Sequence, residues 1–378
     1  MKQAQISSSK IGIILAMLVS CEIMVTYGNV NAGRDTWFAL IVTIIGSLLL
    51  VSCYYFLLIL FPQGNLFSII EQAFGKIVGK VIVFLYIWYG LLVATCSFYQ
   101  FNSFIRILSF GNTPYLFIAL IVLLAIYFLL RSGIKAMIQL FVIIFPLFMG
   151  LFIISLLLLY PEYHFLHLFP LLKTPVKQIA KSSFSFWAVS FGDTILVTGL
   201  GIIIIPKVKY WKTFGKGIVG GGLIYLIAIL VQLFVFNESL ANLLVFPTNS
   251  AIALIDVAQF ITRIQVLLSS VFINAILLKV LLALVFAIEG LMKLFPKGNR
   301  NTFIAWVLLV ILGLSYLLFP NFESLRIFKE RYIWFKVIWQ IGIPFILLIV
   351  VFVKKVIFKN AFPESLNEEE NKPKVILH

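Results

Sequence analysis

Glu22 interrupts the first apolar run of the chain, Ile11–Tyr27, directly after Ser20 and Cys21. An ionised carboxylate in hydrocarbon is costly unless it is paired or faces a cavity. A second interruption comes five apolar runs later, at Ser190-Phe191-Gly192-Asp193, with Thr194 next. Gly192 lifts side-chain restraint where a helix could unwind, and Asp193 and Thr194 put oxygens beside it. Unwound backbone at mid-membrane is tolerated only where it lines a cavity. Freed N–H groups at a half-helix start attract a carboxylate, and freed C=O groups attract an ammonium or a cation. Ser20, Cys21, Glu22, Phe191, Gly192, Asp193 and Thr194 are therefore the candidate ligand-binding residues, and a zwitterionic amino acid suits them. A continuous helix with a buried, paired Asp193 is the structural alternative. Glu22 has three open roles: contact with a substrate amine, proton carriage, or pairing with a cation.

Lys279 lies deep within FINAILLKVLLALVF, too far from either end to reach water easily. A fixed ammonium there can stand in for a bound metal ion, with Glu22 or Asp193 as partner. A plain helix-to-helix ion pair is the other reading. His164 and His167, spaced H-x-x-H, lack nearby carboxylates and read as loop residues rather than a metal site. No phosphate-binding loop, no Gly-x-Ser-x-Gly and no catalytic carboxylate pair is present, so neither an enzyme nor a cofactor is expected.

These residues need a scaffold, and composition says which. Of 378 residues, 62% are hydrophobic and 11% charged, against about 25% charged in soluble domains. The chain reads as an all-α polytopic membrane protein embedded in a lipid bilayer. A span needs about 20 apolar residues, and ten runs qualify: roughly 11–30, 37–60, 80–105, 115–130, 134–160, 183–205, 217–236, 261–290, 302–319 and 333–353. A short N-terminus (1–10) and a polar tail (356–378) flank a membrane domain at 11–355. The net charge of +15 fits cytoplasmic loops and anionic headgroups. No soluble basic domain is present to bind nucleic acid. With both termini inside, sixteen basic residues fall on the inner side and nine, Lys329 among them, on the outer. That bias sets the expected orientation.

Two connections look alike. FPQGNLFSIIEQAFGK begins at Phe61 and FPTNSAIALIDVAQF at Phe246. Each opens Phe-Pro and reaches an Ile-acidic pair nine and ten residues on, and each reads as a short amphipathic helix. They follow spans 2 and 7, which end on opposite sides. Two halves of five spans, about 11–160 and 183–355, in inverted repeat are thus expected, with discontinuous spans 1 and 6.

Several stretches together resemble the B subunits of spore germination receptors. They are Arg34-Asp35-Thr36-Trp37, Phe61-Pro62 with Asn65-Leu66-Phe67 and Phe74-Gly75-Lys76, Phe184-Ser185-Phe186 with Phe191-Gly192-Asp193, and Phe246-Pro247-Thr248. Lys279 falls where that family has a span 8 lysine. The likeness runs from about Ile6 to Pro320. It implies a LeuT-type fold of the amino acid–polyamine–organocation superfamily, in the inner membrane of dormant spores. It also implies A and C receptor subunits as partners and a small nutrient such as an amino acid as ligand. Asp193 stands where the family often has Glu, and Glu22 where it has a small or neutral residue. A proton-coupled amino acid permease, with Glu22 or Asp193 carrying the proton, is the alternative function. A membrane scaffold with a vestigial pocket is a third.

Overall fold

The computed structural model describes residues 4–25, 32–60, 65–200, 202–205, 210–255 and 264–357. Gly28, Asn29, Phe61, Pro62, Asp256, Arg263 and the tail from residue 358 lie outside them. Fourteen α-helices are described: α1 Ser8–Ser20, α2 Thr36–Leu60, α3 Leu66–Phe74, α4 Lys76–Ser109, α5 Tyr115–Arg131, α6 Ile134–Leu158, α7 Val176–Phe186, α8 Ile195–Thr198, α9 Tyr210–Leu243, α10 Pro247–Ile252, α11 Ile264–Leu294, α12 Arg300–Leu318, α13 Phe322–Val337 and α14 Ile343–Ile357. Among the described residues, seven helical segments are long and apolar enough to cross a membrane. The remaining runs read as spans are the shorter α5 and two composite segments, Ser8–Val25 and Val176–Thr198. Large apolar side chains such as Leu49, Ile77, Leu157 and Trp334 are exposed around the bundle. Lipid, not water, is the solvent that such a surface fits.

Both expected interruptions change the helix type without unwinding the chain. Span 1 passes from α1 into a 3-10 segment at Cys21–Val25. Span 6 passes from α7 through a π segment at Trp187–Phe191 and a 3-10 turn at Gly192–Thr194 into α8. Gly192 keeps right-handed helical angles, φ −66° and ψ −26°. The freed half-helix ends expected there are replaced by helix whose hydrogen-bond spacing shifts. Short π segments rearrange the carbonyls of a helix without breaking it.

Among the described residues, one pair of strands interrupts the helices. Ala4–Ser7 (β1) and Ile202–Ile205 (β2) form a parallel pair, with Ala4 opposite Ile202 and Ser7 opposite Ile205. Four successive isoleucines are strong strand formers, and read as apolar residues alone they extend span 6. The pairing brings the start of span 1 beside the end of span 6. Close approach of α9 to α1 uses small residues, as membrane helices do: a Cβ on Gly221 would lie 2.5 Å from the Ala16 carbonyl oxygen.

The first amphipathic connection forms α3. Asn65 caps it by accepting from the Ser68 N–H at 3.0 Å, and Gly75, at φ +82°, ends it. The described part of the second forms α10, with Pro247 in its first turn. Lys293 holds α3 through Glu71 at 2.6 Å. Lys354 also holds it, donating to the Ala73 carbonyl at 2.7 Å, one of the last carbonyls of that helix. Near the start of α2, Asp35 accepts from the Leu172 and Thr174 backbone N–H groups at 2.7 and 2.9 Å. It thereby ties the loop before span 6 to the start of span 2.

Candidate functional site

Lys279 is buried within the bundle on α11, one of its most buried helices. Its Nζ lies 2.9 Å from Glu22 Oε1 and 2.9 Å from Asp193 Oδ2. It also donates to the Val189 carbonyl at 2.8 Å. The Lys279 and Glu22 side chains are each 3% exposed and that of Asp193 is 0%. The lysine expected to pair with either Glu22 or Asp193 pairs with both. Spans 1, 6 and 8 thus meet on one ammonium group.

Two further lysines complete the cluster, both from α13. Lys336 Nζ lies 2.8 Å from each Asp193 oxygen. Lys329 Nζ lies 3.2 Å from Glu22 Oε2 and also donates to Gln100 Oε1. Gln100 in turn donates to Glu22 Oε2 at 3.1 Å. Lys329, counted in sequence among outer-side loop cations, is therefore helical and mostly buried. The reason is that α13 starts at Phe322, so the last span begins earlier than apolarity alone suggests. Its charged residues conceal a stripe at Lys329, Tyr332 and Lys336, spaced three and four apart on one face.

Asp193 is held on its other side by neutral donors. Tyr89 donates to Oδ1 at 2.7 Å and Gln340 at 2.8 Å. Gln340 also reaches the Ala188 carbonyl, at 3.0 Å, inside the span 6 π segment. It sits in a second π segment, Ile338–Gly342. There Tyr54 and Tyr86 hydroxyls donate to the Gln340 and Trp339 carbonyls at 2.6 and 2.9 Å. Carbonyls that a π turn displaces are thus served by side chains. A side chain at Gly192 would displace the Gln340 amide, because a Cβ there would lie 2.2 Å from Gln340 Oε1.

A small cavity adjoins the cluster. Val93, Cys96 and Ser97 of α4 line it, with Val189 of span 6, Lys279, and Lys329, Tyr332 and Lys336 of α13. Its volume of about 20 Å³ holds roughly one water-sized body. None of the seven residues expected to contact ligand lines it; Lys279, expected as a fixed stand-in for an ion, does. Glu22 and Asp193 stand one step behind, bonded to the lining ammonium groups. Ser20 Oγ donates back to the Ala16 carbonyl at 2.9 Å, and Thr194 Oγ1 to the Phe191 carbonyl at 2.7 Å. Cys21 and Phe191 are buried packing residues. Ser97, Tyr332, Lys329 and Lys336 are the members that sequence reading missed. Lys336 carried the same signal as Lys279, a lysine inside an apolar run. Ser97 carried none.

Among the described residues, no group of three His, Cys, Asp or Glu side chains is placed to hold a metal ion. His164 and His167 instead stack, 5.3 Å apart, and His167 Nδ1 bonds the Phe234 carbonyl at 2.8 Å.

Comparison with known proteins gives consistent results. Residues 5–324 match the model of a family described as spore germination protein. The chain is 24% identical over 334 residues to spore germination protein KB of Bacillus subtilis (strain 168), covering 86% of this chain and 88% of that protein. Its fold is similar to that of Mhp1, a nucleobase-cation-symport-1 family transporter solved in a closed conformation with bromovinylhydantoin bound. The TM-score is 0.60 at 12% identity, over 94% of this chain and 80% of that one.

Proposed function

The chain belongs to the spore germination protein family, and from that premise we propose that it is the integral membrane B subunit of a nutrient germinant receptor. It senses an amino acid or similar small nutrient, works beside A and C subunits, and sits in the spore inner membrane with both termini cytoplasmic. The observation that carries this reading is the meeting of Glu22, Asp193 and Lys279 beside a small cavity. A ligand entering there must rearrange contacts between spans 1, 6, 8 and 10. Such a ligand prefers one arrangement of the bundle over another, which is the condition for signalling. Ten spans in a LeuT-type inverted repeat supply the halves that move, and the fold similarity to a transporter supports that architecture.

The same similarity favours a second reading, a proton-coupled amino acid permease in which Glu22 or Asp193 carries the proton. Two measurements separate them. Tagged protein drawn from spore membranes should bring down A and C subunits, and purified protein in vesicles should not accumulate labelled amino acid. Accumulation driven by a pH gradient, with no subunits recovered, would establish the permease instead.

A further inference from the structure

The charge of the cluster does not balance. Among the described residues, three ammonium groups, Lys279, Lys329 and Lys336, face two carboxylates, Glu22 and Asp193. The other polar partners, Gln100, Tyr89 and Gln340, are neutral. One net positive charge inside a bilayer is costly. All three lysines line the cavity. So does Tyr332, whose hydroxyl is buried and makes no hydrogen bond among the described residues. A buried hydroxyl without a partner is unusual and calls for an explanation. Its ring is fixed by stacking on Phe328 and Phe335, at 5.2 and 5.0 Å.

Resting on the ligand-site reading above, we infer that the cavity takes a monovalent anionic group. That group is a carboxylate head or a single small anion, held by the Lys329 and Lys336 ammonium groups and by the Tyr332 hydroxyl. The anion brings the count to three against three. It also gives the Tyr332 O–H an acceptor. A ligand ammonium has no such place, because both carboxylates already accept from lysines. Lys329, 11% exposed against 3% for Lys279, is on the side from which the anion enters.

The test uses the purified full chain in lipid nanodiscs, with apparent unfolding temperature read by tryptophan fluorescence. Chloride, acetate, glycine and methylammonium are titrated at constant ionic strength, balanced with sodium gluconate, whose anion is far larger than any of the probes. Acetate or chloride should raise the unfolding temperature saturably, and methylammonium should not. Acetate and glycine together without chloride point to a carboxylate ligand, and chloride alone to a free inorganic ion; either supports the inference. Tyr332→Phe keeps the ring stack and should raise the half-saturating concentration about tenfold. Lys329→Met should abolish the response. A response to methylammonium but not the anions overturns the inference. So does no response to any probe, or an anion response unchanged in both variants. A response to glycine alone overturns it too, yet leaves the zwitterion sensor standing.

Discussion

Glu22 on span 1 and Asp193 on span 6 share one ammonium group, that of Lys279, at 2.9 Å each. Two like charges brought this close repel unless the cation lies between them. The relationship makes Lys279 the joint at which the two interrupted spans are coupled.

Lys279→Ala should therefore lower the stability of the folded chain, because Glu22 and Asp193 lose the cation between them and the Val189 carbonyl loses its donor. Protein level in membranes and thermal unfolding after purification report it. Lys279→Arg should restore it incompletely, because a planar fork cannot reproduce the three-way contact with Glu22, Asp193 and the Val189 carbonyl. Normal level and unfolding in the alanine variant would make Lys279 a passenger.

Gly192→Ala should destabilise through Gln340. The added methyl would occupy the place of the Gln340 amide, which bonds Asp193, Tyr89 and the Ala188 carbonyl. Combining it with Gln340→Ala should give a loss smaller than the sum of the two single losses. A double-mutant cycle on unfolding free energy measures this coupling, and additive losses would contradict it.

The α3 helix offers a pH test. Its bond with the Lys293 ammonium, 2.6 Å away, holds the Glu71 carboxyl below its usual range. A depressed folded-state value stabilises above the unfolded value and ceases to do so as pH falls through the folded one. Glu71→Gln should lower the unfolding free energy slightly at neutral pH, by less than about 1 kcal/mol for a partly exposed pair. The curves of variant and parent should converge as pH falls through the lowered folded-state value of Glu71, and also at high salt.

Orientation is open to labelling. In a background lacking Cys21, Cys53 and Cys96, a cysteine at Lys212 should be shielded from an impermeant reagent applied outside. One at Pro175 should react. Both positions are exposed. The opposite pattern would invert the topology and remove the basis for the sixteen-to-nine charge bias.

Much of this arrangement is written in residue type. Glu22, Asp193 and Lys279 announce themselves because charge within an apolar run needs a partner, and the structure joins all three. Gly192 serves close packing against Gln340 rather than unwound backbone. The β1–β2 pair is hidden because four isoleucines extend an apolar run as naturally as they form a strand. Lys329 is hidden because the cytoplasmic-bias rule sorts cations into loops, whereas α13 carries this one into the bundle. Ser97 and Tyr332 are common residues in common surroundings, and only the fold brings them to one cavity.

The central claim is that the space beside these lysines is where the nutrient is sensed. Ser97→Val tests it most directly, since valine fills a water-sized cavity and leaves every ion pair intact. Spores carrying this variant are compared with wild type in a germination dose–response to the triggering nutrient, normalised to protein level in the membrane. A half-maximal concentration raised about tenfold or more, at normal protein level, is the predicted result. An unchanged half-maximal concentration at normal level would place the sensing site elsewhere in the molecule.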